Sequence, residues 1–221
     1  MFSNDVIAFY KSIRPPKLPK GIEALYPQQQ KDVIKIVEKF YTKFFSDNDQ
    51  RTLIFGINPG RFGAGVTGIN FTASKQLKDN CGIEHSFKMQ SELSADFIYE
   101  AIEKYGGVEK FYRKFFITAI SPLGFTREGI NLNYYDDKVL QKAVTPFIVD
   151  CIERQCQWNV SHETAICIGG AENFKFFSIL NDKYNWFNEI VPLAHPRFIL
   201  QYRRKTKEIY LSQYMLAFSA E

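Results

Sequence analysis

Four short apolar runs, RTLIFGI (51–57), FFITAI (115–120), TAICIG (164–169) and FNEIVPL (187–193), alternate along the chain with segments patterned as helices. Runs of this length read as buried strands, and connections long enough for crossovers let such strands lie parallel. The alternation predicts an α/β chain: a three-layer α/β/α sandwich with a mostly parallel four-stranded central sheet and helices on both faces. The helical stretches are QQQKDVIKIVEKFYTKFF, where Val33, Ile36, Val37, Phe40, Tyr41 and Phe44 recur at helical spacing, then 93–104, 108–114, VLQKAVTPFIVDCIERQC and ENFKFFSILNDKY. A last helix is expected from near Tyr202. Three of the four strands run into loops rich in Asn, Pro, Gly and His. Ligands of parallel sheets sit outside the carboxyl ends of strands, so the chemistry is expected there.

A chain of 221 residues that is 45% hydrophobic and 16% aromatic can bury a large core. One domain, 1–221, is expected, with 1–50 as an N-terminal helical extension packed on it. No apolar run approaches the roughly 20 residues that a membrane-spanning helix needs. The N-terminus, with Asp5 ahead of its apolar residues, lacks the order of a secretory signal. The expectation is a cytoplasmic monomer with no membrane partner.

Cys81, Cys151, Cys156 and Cys167 are irregularly spaced, which favours reduced thiols buried as small hydrophobes over disulfides or a metal cluster. No metal and no cofactor are expected. The net charge of +4 is mild, but Arg197, Arg203, Arg204, Lys205 and Lys207 fall within positions 197 to 207, and Lys11, Arg14, Lys17 and Lys20 form a second basic stretch. Each suits phosphate neutralisation, and each alone is also what an ordinary solvated face looks like.

The loop after the first strand, GINPGRFGAGVTGINF (56–71), holds Pro59 and glycines at 60, 63, 65 and 68, which exclude regular structure. Asn58 before Pro59 and His195 before Pro196 are, singly, ordinary turn-formers. Together, at the ends of two separate strands, they point to one site. Gly63-x-Gly65-x-x-Gly68 formally fits a dinucleotide fingerprint, but its first glycine lies too far from the strand and no second strand with a ribose-binding acid follows. His85 and His162 lie in polar surroundings and read as surface residues.

The Gly-x-Asn-Pro-Gly, Phe-Gly and Thr-Gly-x-x-Phe elements of 56–71 resemble the first active-site motif of the uracil-DNA glycosylase superfamily, most closely its single-strand-selective monofunctional branch. LAHPRF (193–198) resembles the superfamily's His-Pro motif, and SPLGFTREGINLN (121–133) that branch's Pro-Leu segment. The resemblance implies a monofunctional DNA glycosylase that hydrolyses the N-glycosidic bond of uracil or another deaminated base in base excision repair. It implies catalytic roles for Asn58, which positions the attacking water, and His195, which donates a hydrogen bond to the departing base. Gly56, Ile57, Pro59, Gly60, Phe62, Gly63, Phe71, Ala119 and Ser121 would form the substrate pocket, with Phe71 stacking on a flipped base. Arg61, Pro122, Arg197, Phe198, Arg203 and Arg204 would meet DNA, and either Arg197 or Phe198 would wedge into the duplex.

One position departs from the family. Ala119 stands where relatives carry an Asn that reads the base edge, which implies a pocket widened toward hypoxanthine or xanthine, or a substitute such as Ser121 or a backbone amide. Two rivals remain at this level: a lesion-binding module of the same fold that does not cut, and an enzyme acting on free nucleosides or nucleotides.

Overall fold

The computed structural model describes residues 1–219; the last two positions of the expected 1–221 domain lie outside the described residues. The chain opens with α1 (Phe2–Ser12), a short strand β1 (Ile22–Leu25) and α2 (Lys31–Phe44). All six apolar positions read from the helical spacing in α2 are buried. β2 (Thr52–Gly56) follows, then α3 (Ala64–Thr67), α4 (Ser74–Asp79), α5 (Leu93–Tyr105) and α6 (Val108–Lys114), which lead into β3 (Phe115–Ala119). After β4 (Gly124–Arg127) and β5 (Ile130–Leu132) come α7 (Lys138–Cys156), β6 (Thr164–Ile168), α8 (Gly170–Tyr184) and β7 (Glu189–Leu193). The described chain closes with α9 (Pro196–Tyr202) and α10 (Lys207–Ser219).

The central sheet is wholly parallel, in the order β3–β2–β6–β7, and helices flank it. β2, β3 and β6 are nearly continuous apolar runs because both faces are covered, β3 being buried along its whole length, whereas the edge strand β7 is buried only at Leu193. From β2 the chain crosses to β3 at one edge, whereas from β6 it continues to β7 at the other. The order therefore reverses between β2 and β6, and a crevice opens at their carboxyl ends.

A second, antiparallel sheet, β1–β4–β5, was not among the expected strands. Its strands are only three or four residues long, too short to show a period of two, and β1 finds its partner a hundred residues away in the chain. The β4–β5 turn is made by Glu128 and Gly129, with φ of 51° and 73°, the doubly left-handed geometry that suits a tight hairpin. The single helix expected from Tyr202 is instead two, α9 and α10, separated by a short 3-10 turn at Arg204–Thr206.

The first fifty residues enter the same core as the sheet. Phe2, on α1, packs its ring 5.4 Å from that of Phe116 on β3 and 5.7 Å from that of Trp158. Arg51 is fully buried, its guanidinium 5.0 Å from the Phe2 ring and paired with the Asp47 carboxylate, whose pKa that contact lowers. Cys81, Cys151 and Cys167 are buried free thiols, and burial raises each of them to about 12.

Candidate active site

Asn58 lies two residues past β2, where the chain leaves the sheet. Its Oδ1 accepts a hydrogen bond from the Tyr134 backbone N–H at 3.0 Å, and its Nδ2 donates to the Leu132 carbonyl at 3.1 Å. A backbone N–H can only donate and a carbonyl can only accept, so these partners fix which end of the amide is which. Nδ2 also reaches the Pro59 carbonyl at 3.4 Å, so the free capacity of the amide is one lone pair on Oδ1, held still by the end of β5 and the residues just after it.

His195 lies two residues past β7 and caps α9. Its Nδ1 accepts from the Arg197 backbone N–H at 3.1 Å, which places the ring proton of the neutral form on Nε2. Burial, with the Arg197 charge adding to it, pulls the imidazole down to about 4. At neutral pH the ring is therefore an uncharged donor through Nε2–H.

Both side chains line one cleft of about 480 Å³ at the carboxyl ends of the strands. The Phe71 ring lines the same cleft, its centroid 5.9 Å from that of His195. Phe71 holds φ at 52°, a left-handed conformation that a bulky side chain adopts only when its surroundings impose it. The imposed contact is with Gly56, where a Cβ would fall 2.8 Å from the ring. The glycine at the end of β2 thus lets the aromatic ring pack closely against the strand end. Gly65 serves the loop in a similar way: its N–H donates to the Gly60 carbonyl at 2.8 Å, and a Cβ there would stand 2.4 Å from the same oxygen.

Of the residues expected to form the pocket, Gly56, Ile57, Pro59, Gly60, Phe62, Phe71 and Ala119 line the cleft with Asn58 and His195. Gly63 does not line it; at φ 60° it caps α3 instead. Ser121 is buried and donates its hydroxyl to the Leu123 carbonyl at 2.8 Å, so it offers nothing to a base. Pro122 is buried as well and presents no surface to a strand of DNA. Arg197 and Phe198 stand at the mouth. Arg61, Arg203 and Arg204 are exposed outside the lining, with Arg61 over the Phe62 ring at 4.9 Å and Arg203 over the Phe198 ring at 5.3 Å. His162 is exposed as expected, whereas His85 is partly buried against the Ser74 carbonyl.

Sequence reasoning missed several of the lining residues, including Asn70, Glu92, Asn131, Tyr135 and Tyr202. Asn131 lies within a segment already likened to a family motif, and Tyr202 within one turn of the exposed Phe198, so position alone could have nominated those two. Asn70 likewise lies inside the 56–71 motif beside Phe71, whereas Glu92 and Tyr135 reach the cleft through folds of the chain that no local pattern announces. At the mouth, Phe62, Phe198 and Tyr202 are 46%, 40% and 67% exposed beside arginines, a set of aromatic faces and positive charge that suits a single strand of nucleic acid.

A planar shelf beside an uncharged hydrogen-bond donor, opening onto such a surface, belongs to enzymes that work on a base within a polynucleotide. The model of the uracil DNA glycosylase superfamily matches residues 42–218, and the chain belongs to that superfamily: it is a DNA glycosylase. The crystal structure of wild-type Pedobacter heparinus SMUG2 is similar over 98% of this chain and 96% of that one, at 43% identity and a TM-score of 0.95. No curated protein matches the chain. Among the described residues, no helix is long and apolar enough to cross a membrane.

Proposed function

We propose that the protein is a monofunctional glycosylase that excises uracil or a related deaminated base from DNA, acting as a single-domain monomer through Asn58 and His195. The observation that carries this reading is the neutral His195, its Nδ1 occupied by the Arg197 N–H and its Nε2–H left for the cleft. As the bond between C1′ and the base nitrogen breaks, its electron pair moves onto the base and the sugar becomes cationic. A donor aimed at the base oxygen that gathers this charge lowers the barrier by about 3 kcal/mol. A neutral donor suits the task, because it need not give up its own proton to a base that can leave as an anion.

Asn58 holds the water that adds to C1′ through the remaining lone pair of its Oδ1. Its two backbone bonds prepay the cost of ordering it. An amide is too weak a base to take a proton in the ground state, so the water loses its proton only after the sugar has become cationic. Phe71 supplies the face on which the extruded base stacks.

The reading is tested by incubating oligonucleotides that carry one uracil, hypoxanthine or xanthine with the protein and then with hot alkali, in parallel with Asn58→Ala. Strand breaks that require alkali, made by the wild type and reduced about 100-fold or more in the variant, are expected. Breaks without alkali, or an unchanged rate in a folded Asn58→Ala, would overturn the assignment.

A further inference from the structure

Among the described residues, the β3 side of the cleft carries no side chain that can read a base. Ala119 offers a methyl group, and the Ser121 hydroxyl is engaged by Leu123. Asn70 lines the same cleft from the turn immediately before Phe71 and is only 8% exposed. Its Nδ2 donates to the hydroxyl of Tyr10 at 3.3 Å, and Tyr10 is itself buried on α1. Its Oδ1 has no partner among the described residues, yet it is not sealed as Gln28 Oε1, the Tyr41 hydroxyl and Gln76 Oε1 are. A buried amide anchored at one end, with an open acceptor at the other, is a recognition group waiting for a donor.

We propose that Asn70 reads the imino N–H of the extruded base, taking the place in recognition that Ala119 leaves vacant. This inference rests on the excision activity proposed above and names the group that selects its substrates. Uracil and hypoxanthine each present a ring N–H beside a carbonyl. Cytosine and adenine, from which deamination makes them, present a bare ring nitrogen beside an amino group. An acceptor oxygen pairs with the first kind of edge and is repelled by the ring nitrogen of the second. Because Ala119 takes up so little room, the same acceptor serves a pyrimidine and a purine. Tyr10 acts as a positioning residue: its hydroxyl accepts from Nδ2 and holds the Asn70 amide in the cleft wall.

The test compares uracil with 3-methyluracil, which keeps both carbonyls and lacks the imino proton, in single-turnover excision from single-stranded oligonucleotides. The wild type is expected to prefer uracil. Asn70→Leu, similar in shape and without an acceptor, should lose about 10- to 100-fold on uracil and essentially nothing further on 3-methyluracil. Asn70→Asp keeps an acceptor and should recover most of the preference. Thermal melting of each variant separates these losses from unfolding. Equal losses on both bases, or none on either, in a folded Asn70→Leu would overturn the proposal while leaving the excision reading intact. If the wild type excises no base at all, that reading fails, and binding decides the role of Asn70. Oligonucleotides carrying 2′-fluoro-deoxyuridine, whose glycosidic bond resists cleavage, are then compared with their N3-methylated form. A wild type that binds the two alike would overturn the proposal there too.

Discussion

At the scale of single residues, the site is set by where protons cannot go. His195 is deprived of its charge by burial and by the Arg197 guanidinium, which brings it from 6.5 to about 4. Raising the pH above 6.5 therefore does not deprotonate a catalytic acid, because the working form is already neutral. The excision rate should stay flat from about pH 6 to 8 and fall only near 4, measured by single-turnover assays across that range. An acid limb centred near the ordinary histidine value would contradict the assignment. The same shift has a stability consequence. The unfolded chain takes up a proton near 6.5 that the folded ring refuses, so the folded state loses stability as pH falls from 6.5 toward 4. Asn58 and His195 were both legible in the sequence because each stands at a strand end inside a segment that resembles a family motif, although each beside its proline is singly an ordinary turn-former. Asn70 was not, because what gives it meaning is Tyr10, sixty residues away in the chain and brought to it by the packing of α1.

At the scale of elements, the small antiparallel sheet explains why the large one can hold a site at all. The end of β5 and the residue two positions beyond it hold the Asn58 amide through Leu132 and Tyr134, and β4 approaches the Asn58–Pro59 turn so closely that a Cβ on Gly124 would stand 2.1 Å from the Pro59 carbonyl. That oxygen belongs to the backbone and cannot swing aside. Gly124→Ala is expected to displace the turn, costing about 1–3 kcal/mol of stability and at least tenfold in excision, read by melting and by the alkali assay on the same preparation. A variant that melts as the wild type does and keeps its rate would show that β4 merely neighbours the site. The four parallel strands could be read from the sequence because each carries a short apolar run, β2, β3 and β6 being buried almost throughout and the edge strand β7 only in part. The small sheet escaped because its strands are short, half-exposed and paired across distant parts of the chain, so no window of sequence contains the pairing.

At the scale of the whole molecule, two long-range effects govern how the site is used. Arg61, Arg197 and Arg203 stand around a mouth lined by exposed aromatic rings, and each phosphate they neutralise releases counterions. Replacing Arg197 or Arg203 with Ala should lower the slope of log affinity against log salt by about 0.7 each, measured by titrating labelled single-stranded DNA at several salt concentrations. The second effect is the reach of the core. The family model begins at residue 42, which invites treating the earlier residues as dispensable. The packing argues the reverse: Phe2, Phe9 and Tyr10 of α1 are all buried, and Phe2 contacts Phe45, Phe116 and Trp158. Removing one buried aromatic side chain costs about 3–5 kcal/mol, whereas a domain of this kind has about 5–15 kcal/mol in all. Losing three at once, together with the Tyr10 anchor of Asn70, consumes that margin. A chain truncated to begin after α1 is accordingly expected to show no cooperative melting transition and to aggregate, whereas one that melts cooperatively within a few degrees of the full chain would establish that α1 is an appendage and that the sheet carries its own core.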